Sequence, residues 1–309
     1  MLDLGALRSA IAAHGRVVRV VVAATEGSSP REVGAAMLVW AGGQSGTIGG
    51  GALEFQAAAR ARALLTAGGV AVERLALGPA LGQCCGGAVT LVMAVCDAGR
   101  VAAMEGPPLV ATGAGEMPLS VRRLLATARG QGVAGLERLV DGWFVEPVLV
   151  PDRQVWVWGA GHVGRALVAV LAPLPGMAVT WVDVAPERFP DLVPEGVTPV
   201  WAARPEDLVA HAPQAAEHLV LTYSHALDLE LCHRLLVRGF RSCGLIGSAT
   251  KWARFRSRLA ALGHDPASAG RIRCPIGDPG LGKHPQAIAV GVAAQILRDR
   301  TEMARERTA

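Results

Sequence analysis

Aromatic residues are scarce in this chain: its 309 residues include one tyrosine, five phenylalanines and seven tryptophans. Few flat side chains are available to stack on bases, and no long Lys/Arg block alternates with them. Nucleic acid is therefore a poor candidate partner. Charge is also sparse, at 18% of residues against 51% hydrophobic, a balance that excludes a disordered chain and indicates compact globular structure. The formal charge of +4 is mildly basic and favours an anionic ligand. Long hydrophobic runs are missing. The longest, such as AVTLVMAVC (88–96), have strand length and fall far short of a membrane span. The opening MLDLGALRSAIAAHGR carries Asp3 and Arg8 and breaks at Gly15, so no secretory signal is expected there. Six cysteines lack a paired CxxC framework and read as reduced thiols in a cytoplasm.

What is abundant is glycine, 38 residues, placed where tight turns begin and end elements. LGALRSAIAAHG (4–15) predicts a first helix and RVVRVVVAAT (16–25) a strand, followed by a turn-rich loop, EGSSPREVG (26–34). AAMLVW (35–40) and SGTI (45–48) predict a hairpin, and GGG (49–51) opens a helix that Gly68 and Gly69 close. Strands are expected at 70–77 and 88–96, flanking GPALGQCCGG (78–87). The Gly- and Pro-rich stretch 97–118 reads as a poorly anchored loop, with a helix near 118–129 and strands near 136–149. This makes 1–147 an N-terminal α+β domain. EPVLVPDR (146–153), with two prolines, is the expected hinge.

Beyond the hinge, strands and helices alternate. VWVW (155–158) leads to a helix at 162–171, VTWVD (179–183) to a Pro-rich connection, and VTPVW (197–201) to a short helix near 205–211. LVLTY (219–223) leads to a helix at 226–238, RSCGLIG (241–247) to a helix at 249–262, and a last helix begins at Pro285. Alternation with two-sided apolar strands predicts a parallel sheet covered on both faces. The fold class is therefore α/β, with a Rossmann-like doubly wound domain at 148–309. No internal repeat is visible.

Within QVWVWGAGHVGRALV (154–168), Gly159, Gly161 and Gly164 follow a strand and precede a helix, the setting of a phosphate-binding turn with His162 at the helix start. Gly159 permits the tight turn, Gly161 the approach of a phosphate, and Gly164 the packing of helix on sheet. Asp183 ends the second strand, where an acid would meet a ribose hydroxyl. A dinucleotide, and with it an NAD(P)-dependent oxidoreductase, is thus one reading, although no substrate domain with a placed acid/base pair accompanies it. GQCCGG (82–87) offers two adjacent thiols, Cys84 and Cys85, suited to a transition metal as soft ligands. TIGGGALE (47–54) repeats the glycine-rich helix start at Gly49, Gly50 and Gly51, and GSSPRE adds hydroxyls and the cation Arg31. TYSHALD (222–228) sits at a strand-to-helix junction. Its Ser224, His225 and Asp228 are too close in sequence to form a hydrolase triad and have no nucleophile elbow. Ser224 or His225 is expected to frame the helix start and the cleft. In GSATKWARFRSR (247–258), Lys251 falls in a first helical turn, against the dipole unless an anion is near. The spacing of Cys232, Cys243 and Cys274 does not suit zinc.

Taken in order, TEGSSPREVGAAMLV (25–39), GTIGGGALE (46–54), GQCCGG (82–87), GAGHVGRAL (159–167), VTWVDVAPERFP (179–190), SHALDLELC (224–232), GLIGSATKWARF (244–255) and GDPGLGKHPQAIAVGVAAQIL (277–297) resemble the XdhC/CoxI family of xanthine dehydrogenase accessory proteins. The resemblance implies a non-catalytic cytoplasmic chaperone, expected to be a homodimer. Such a protein binds the molybdenum cofactor, molybdopterin carrying molybdenum, and protects it while a cysteine desulfurase supplies sulfur. It then inserts the cofactor into the apo molybdenum-binding subunit of xanthine dehydrogenase. Carried over to this chain, the candidate binding elements are Gly49–Gly51, Gly159–Gly164, Cys84 and Cys85 as molybdenum contacts, and the SHALD segment. Ala36 stands where relatives often carry Lys, which puts Arg31 forward as its counterpart.

Overall fold

The computed structural model describes residues 1–78, 86–131 and 137–306. The chain divides into two compact units, Met1–Leu149 and Val150–Ala309. The first unit begins with helix α1 (Leu4–His14) and continues through strands β1 (Val17–Glu26), β2 (Ala36–Trp40) and β3 (Gly43–Gly46), helix α2 (Gly51–Ala67), and strands β4 (Val70–Ala76) and β5 (Ala88–Cys96). These strands form an antiparallel sheet of order β3-β2-β1-β5-β4. One face of the sheet is covered by α2, whose Leu53, Ala57 and Ala61 pack against Val18, Val20, Leu91 and Met93. The small helix residues let the backbone lie close to the β-branched strands.

Helix α3 (Ala98–Ala102), strand β6 (Leu109–Thr112), helix α4 (Leu119–Gln131) and strands β7 (Arg138–Val140) and β8 (Trp143–Pro147) follow. The second sheet of this unit is antiparallel, in the order β6-β8-β7. The loop expected over 97–118 is thus a helix and a strand. Val101, Met104, Leu109 and Val110 are buried there, and their burial outweighs the weak local propensity of a Gly/Pro-rich stretch. Both ends of the expected hinge likewise belong to strands. Glu146 lies in β8 and forms a buried bidentate pair with Arg19 of β1, at 2.5 and 2.8 Å, and Arg153 opens the next strand.

The second unit runs β9 (Arg153–Trp158), α5 (His162–Leu171), β10 (Met177–Asp183), β11 (Val197–Trp201), β12 (Glu217–Val220), α6 (His225–Arg238), β13 (Ser242–Leu245), α7 (Ala249–Ala261), α8 (Pro266–Gly270), β14 (Ile272–Arg273) and α9 (Pro285–Glu306). All its strand pairs are parallel, in the order β11-β10-β9-β12-β13-β14. The order reverses direction between β9 and β12, which makes the carboxyl ends of those strands the topological switch point. Strand β9 shows why the sheet is covered on both faces. Val155 and Val157 pack with Leu167, Ala289 and Val292, while Trp156 and Trp158 pack with Leu235, Phe255 and Leu259. The helix expected near 205–211 is a 3-10 helix, Pro205–His211, and the two-residue β14 was not expected from the sequence. None of the described helices is long and apolar enough to cross a membrane.

Candidate functional site

In the first unit, α2 starts from Gly50, which has a φ of +75° and no side chain to cap the helix. The cap comes from inside the helix. Glu54 accepts hydrogen bonds from the amides of Ile48 and Gly50, both at 3.1 Å, from the Thr47 hydroxyl at 2.5 Å and from Gln44 at 3.0 Å. Burial works to raise its pKa, but the bonds from Thr47, Ile48, Gly50 and Gln44 prevail and hold the carboxyl below its ordinary range. The anion expected at this turn is therefore the protein's own carboxylate. Gly49 (φ +125°) lies against the loop before it: an added Cβ would stand 2.6 Å from Pro30. The structure thus brings the 26–34 loop and the 49–51 turn together. Arg31 does not stand free beside them, because its guanidinium pairs with Glu32 at 2.8 and 3.1 Å; that hydrogen-bonded pairing holds Glu32 down to about 2. Cys84 and Cys85 lie outside the described residues. Two residues after Cys85, Gly87 packs so closely on the loop that a side chain would collide with the carbonyls of Glu26 and Ser28.

In the turn of the second unit no carboxylate caps the helix itself. Gly159 (φ +121°) passes so close to β12 that a Cβ would lie 2.5 Å from the Leu221 carbonyl oxygen, and a Cβ on Gly164 would collide with the carbonyl of Gly159. These two glycines are required by the fold. Gly161 is not. Its backbone is extended, at φ −75° and ψ −172°, a conformation open to any residue, and nothing lies within 4 Å of where its Cβ would be. No side chain caps α5, so the first-turn amides and the positive end of the helix dipole face open space.

That space is a cleft of about 250 Å³ at the carboxyl ends of β9 and β12, lined by Gly161, His162, Arg188, Thr222, Tyr223 and Ile246 among others. Arg188 lies over the Tyr223 ring, 5.4 Å from its centroid, and its Nε is buried with no hydrogen-bond partner. The Asp183 carboxylate, 3.5 Å away, is 5% exposed and already engaged. One oxygen accepts from the Ala160 amide at 2.5 Å and the other from the Val184 amide at 2.7 Å. Asp183 therefore stiffens the glycine turn from beneath.

Behind the cleft, Ser224 caps α6 by accepting from the Leu227 amide at 3.3 Å, and His225 sets its ring edge-on to Phe255. Asp228 is fully buried and receives the Thr222 amide and hydroxyl at 3.0 and 2.8 Å. Lys251 completes this group, donating to Asp228 at 2.6 Å and to the Ile246 carbonyl at 2.9 Å. Its unfavourable place in a first helical turn is thus explained by an internal anion, and together the pair braces the loops that carry Thr222 and Ile246. Burial pushes the nearby Cys274 thiol up to about 11, and a hydrogen bond with Cys243, together with burial, raises Cys232; these thiols are protonated. Among the described residues, no group of three or more His, Cys, Asp or Glu side chains could hold a metal ion.

A sequence model of the XdhC Rossmann domain matches residues 155–296, and one of the XdhC and CoxI family matches residues 10–76. The chain belongs to the XdhC and CoxI family. The switch-point cleft falls within the first of these matches and the Glu54-filled turn within the second. An uncharacterised Escherichia coli protein, YqeB, is 30% identical over 141 residues, or 45% of this chain; the match spans about a quarter (26%) of that relative's length. The crystal structure of a xanthine dehydrogenase from Bacillus halodurans shares the fold, with a TM-score of 0.67 and 18% identity over 96% of this chain and 95% of that one. Three residues that matter at these turns were not singled out from the sequence: Glu54, Arg188 and Tyr223. For Glu54 the available signal was its place four residues after Gly50; for Tyr223, that it is the one tyrosine in the chain.

Proposed function

We propose that this protein is a non-catalytic accessory factor in xanthine dehydrogenase maturation, and that its switch-point cleft carries the phosphate-bearing end of the molybdenum cofactor. The observation that carries this reading is the space at Gly161. Neither backbone conformation nor packing requires glycine there, uncapped amides of α5 face the opening, and Arg188, whose Nε lies 3.5 Å from the Asp183 carboxylate and makes no hydrogen bond, adds a cation. Such a set suits an oxyanion. The position of Asp183 argues against a nicotinamide dinucleotide, since the carboxylate that would read the ribose is held by Ala160 and Val184. Donors made mainly of backbone dipoles also suit cargo that must be released, to the molybdenum-binding subunit of the dehydrogenase after sulfuration by a cysteine desulfurase. Membership in the family supports this assignment of partners, and on this reading the protein acts in the cytoplasm as a homodimer.

The test is retention of molybdenum cofactor through gel filtration by the full chain and by its Gly161→Ser variant. Serine is a better helix cap than glycine, so the variant should fold at least as well while filling the space and competing for the amides. Retention by the parent and loss in the variant is the expected result. Equal retention by both would remove the phosphate from this cleft, and saturable NAD(H) binding with turnover would replace the carrier role with an oxidoreductase.

A further inference from the structure

Among the described residues, four buried side-chain nitrogens have no hydrogen-bond partner. Two belong to the ring cluster of Trp156 and His218. The other two are Nε atoms of arginines, and each of those arginines lines a cleft: Arg188 the switch-point cleft and Arg100 a second one, wholly within the first unit. This second cleft has a volume of about 330 Å³ and lies between α3, β6 and α4, with Met104, Pro107, Met117 and Leu125 among its apolar walls and Arg100 and Arg129 at its edge. The size is within the range of small-molecule sites, and a mostly apolar wall with a few directed polar groups is their usual chemistry.

Among the described residues no carboxylate pairs with the guanidinium of Arg100 or Arg129, and acids on or near the same elements have other partners. Asp97 caps α3 by accepting the Arg100 amide at 2.9 Å. Glu105 pairs with Arg8 at 2.6 Å and Glu116 with Arg122 at 2.9 Å. Among the described residues, Arg129 donates to the Leu125 carbonyl at 3.4 Å. A cation beside apolar walls, partly withdrawn from water and left without a carboxylate, gains most from an anion that arrives with an apolar body. We infer that this cleft is a second ligand site, taking a small aromatic or branched-aliphatic molecule that bears one carboxylate or similar oxyanion. The residues lie outside both matched stretches, 10–76 and 155–296, so the family resemblance assigns them nothing. The inference is independent of the cofactor reading.

The probe is naphthoate, titrated into the full chain by calorimetry, with neutral naphthamide as its control. Naphthoate should bind saturably, and naphthamide about tenfold more weakly, the worth of a charge-assisted hydrogen bond. Arg100→Gln should reduce naphthoate affinity by about tenfold. Arg129→Gln, at an exposed position where folding is safe, should reduce it by a smaller factor, and Gly161→Ser should leave it unchanged. Absence of saturable naphthoate binding, equal affinity for acid and amide, or unchanged affinity in a folded Arg100→Gln or Arg129→Gln chain would each overturn the assignment.

Discussion

Two helices in this protein begin from glycine-rich turns, and the two turns end in opposite states. At Gly50 the helix reaches back with its own Glu54, which collects the amides of Ile48 and Gly50 together with the Thr47 hydroxyl. At Gly161 no side chain does so; Asp183 holds the turn from below through Ala160 and leaves the upper amides open. A glycine-rich helix start is filled by an internal carboxylate in one place and left without a side-chain cap in the other. The difference teaches that the motif alone does not locate a ligand. On the proposed reading, a ligand goes where no internal carboxylate competes for the amides.

The comparison can be broken hardest at Gly164. Valine there must displace the Gly159 backbone, which cannot yield cheaply, so Gly164→Val should cost the second unit roughly 3 kcal/mol or more in urea denaturation. A loss within about 0.5 kcal/mol, typical of an ordinary surface site, would mean that the turn is not pinned as described. Next comes conversion of one turn into the other. Gly161→Asp supplies α5 with a carboxylate cap of the kind Glu54 gives α2, so stability should hold or rise by about 1 kcal/mol while cofactor retention falls at least about tenfold. Thermal unfolding and gel filtration on the same sample separate the two effects. Unimpaired retention would show that open amides are not the recognition element.

The smallest effect is expected from the reverse change. Glu54→Ala should cost about 1 kcal/mol, the usual worth of a cap, and should make the Ile48 and Gly50 amide resonances sensitive to inorganic phosphate. Acid should act similarly. Because the folded carboxyl titrates below its ordinary value of 4.5, its stabilising contribution is complete above that value and is lost as pH falls through the lower folded one. The Ile48 and Gly50 amide shifts should follow that titration. Shifts that stay flat across it would detach Glu54 from the turn.

Much of the second unit was legible in the residues. The alternation of Val155 and Val157 with Trp156 and Trp158, the Gly159–Gly164 spacing and Ser224 ahead of α6 are local patterns, and local patterns carry helix starts and two-sided strands. The stretch 97–118 was not legible locally because its order comes from burial of Val101, Met104, Leu109 and Val110 against partners distant in sequence. Lys251 shows the same limit on a smaller scale. Its conflict with the helix dipole correctly signalled an anion, but nothing local could say that the anion was Asp228.

Backbone chemistry near each glycine follows from neighbouring residue types: which turns are tight, which strands are apolar on both faces and which helices start uncapped can all be read along the chain. Occupancy cannot. Whether a carboxylate folds inward onto amides, as at Asp183 and Glu54, or a guanidinium lines a cleft with its Nε outside any hydrogen bond, as at Arg188 and Arg100, depends on which groups packing brings within hydrogen-bond distance. That is a property of three-dimensional proximity, because a charge withdrawn from water takes the partner it can reach.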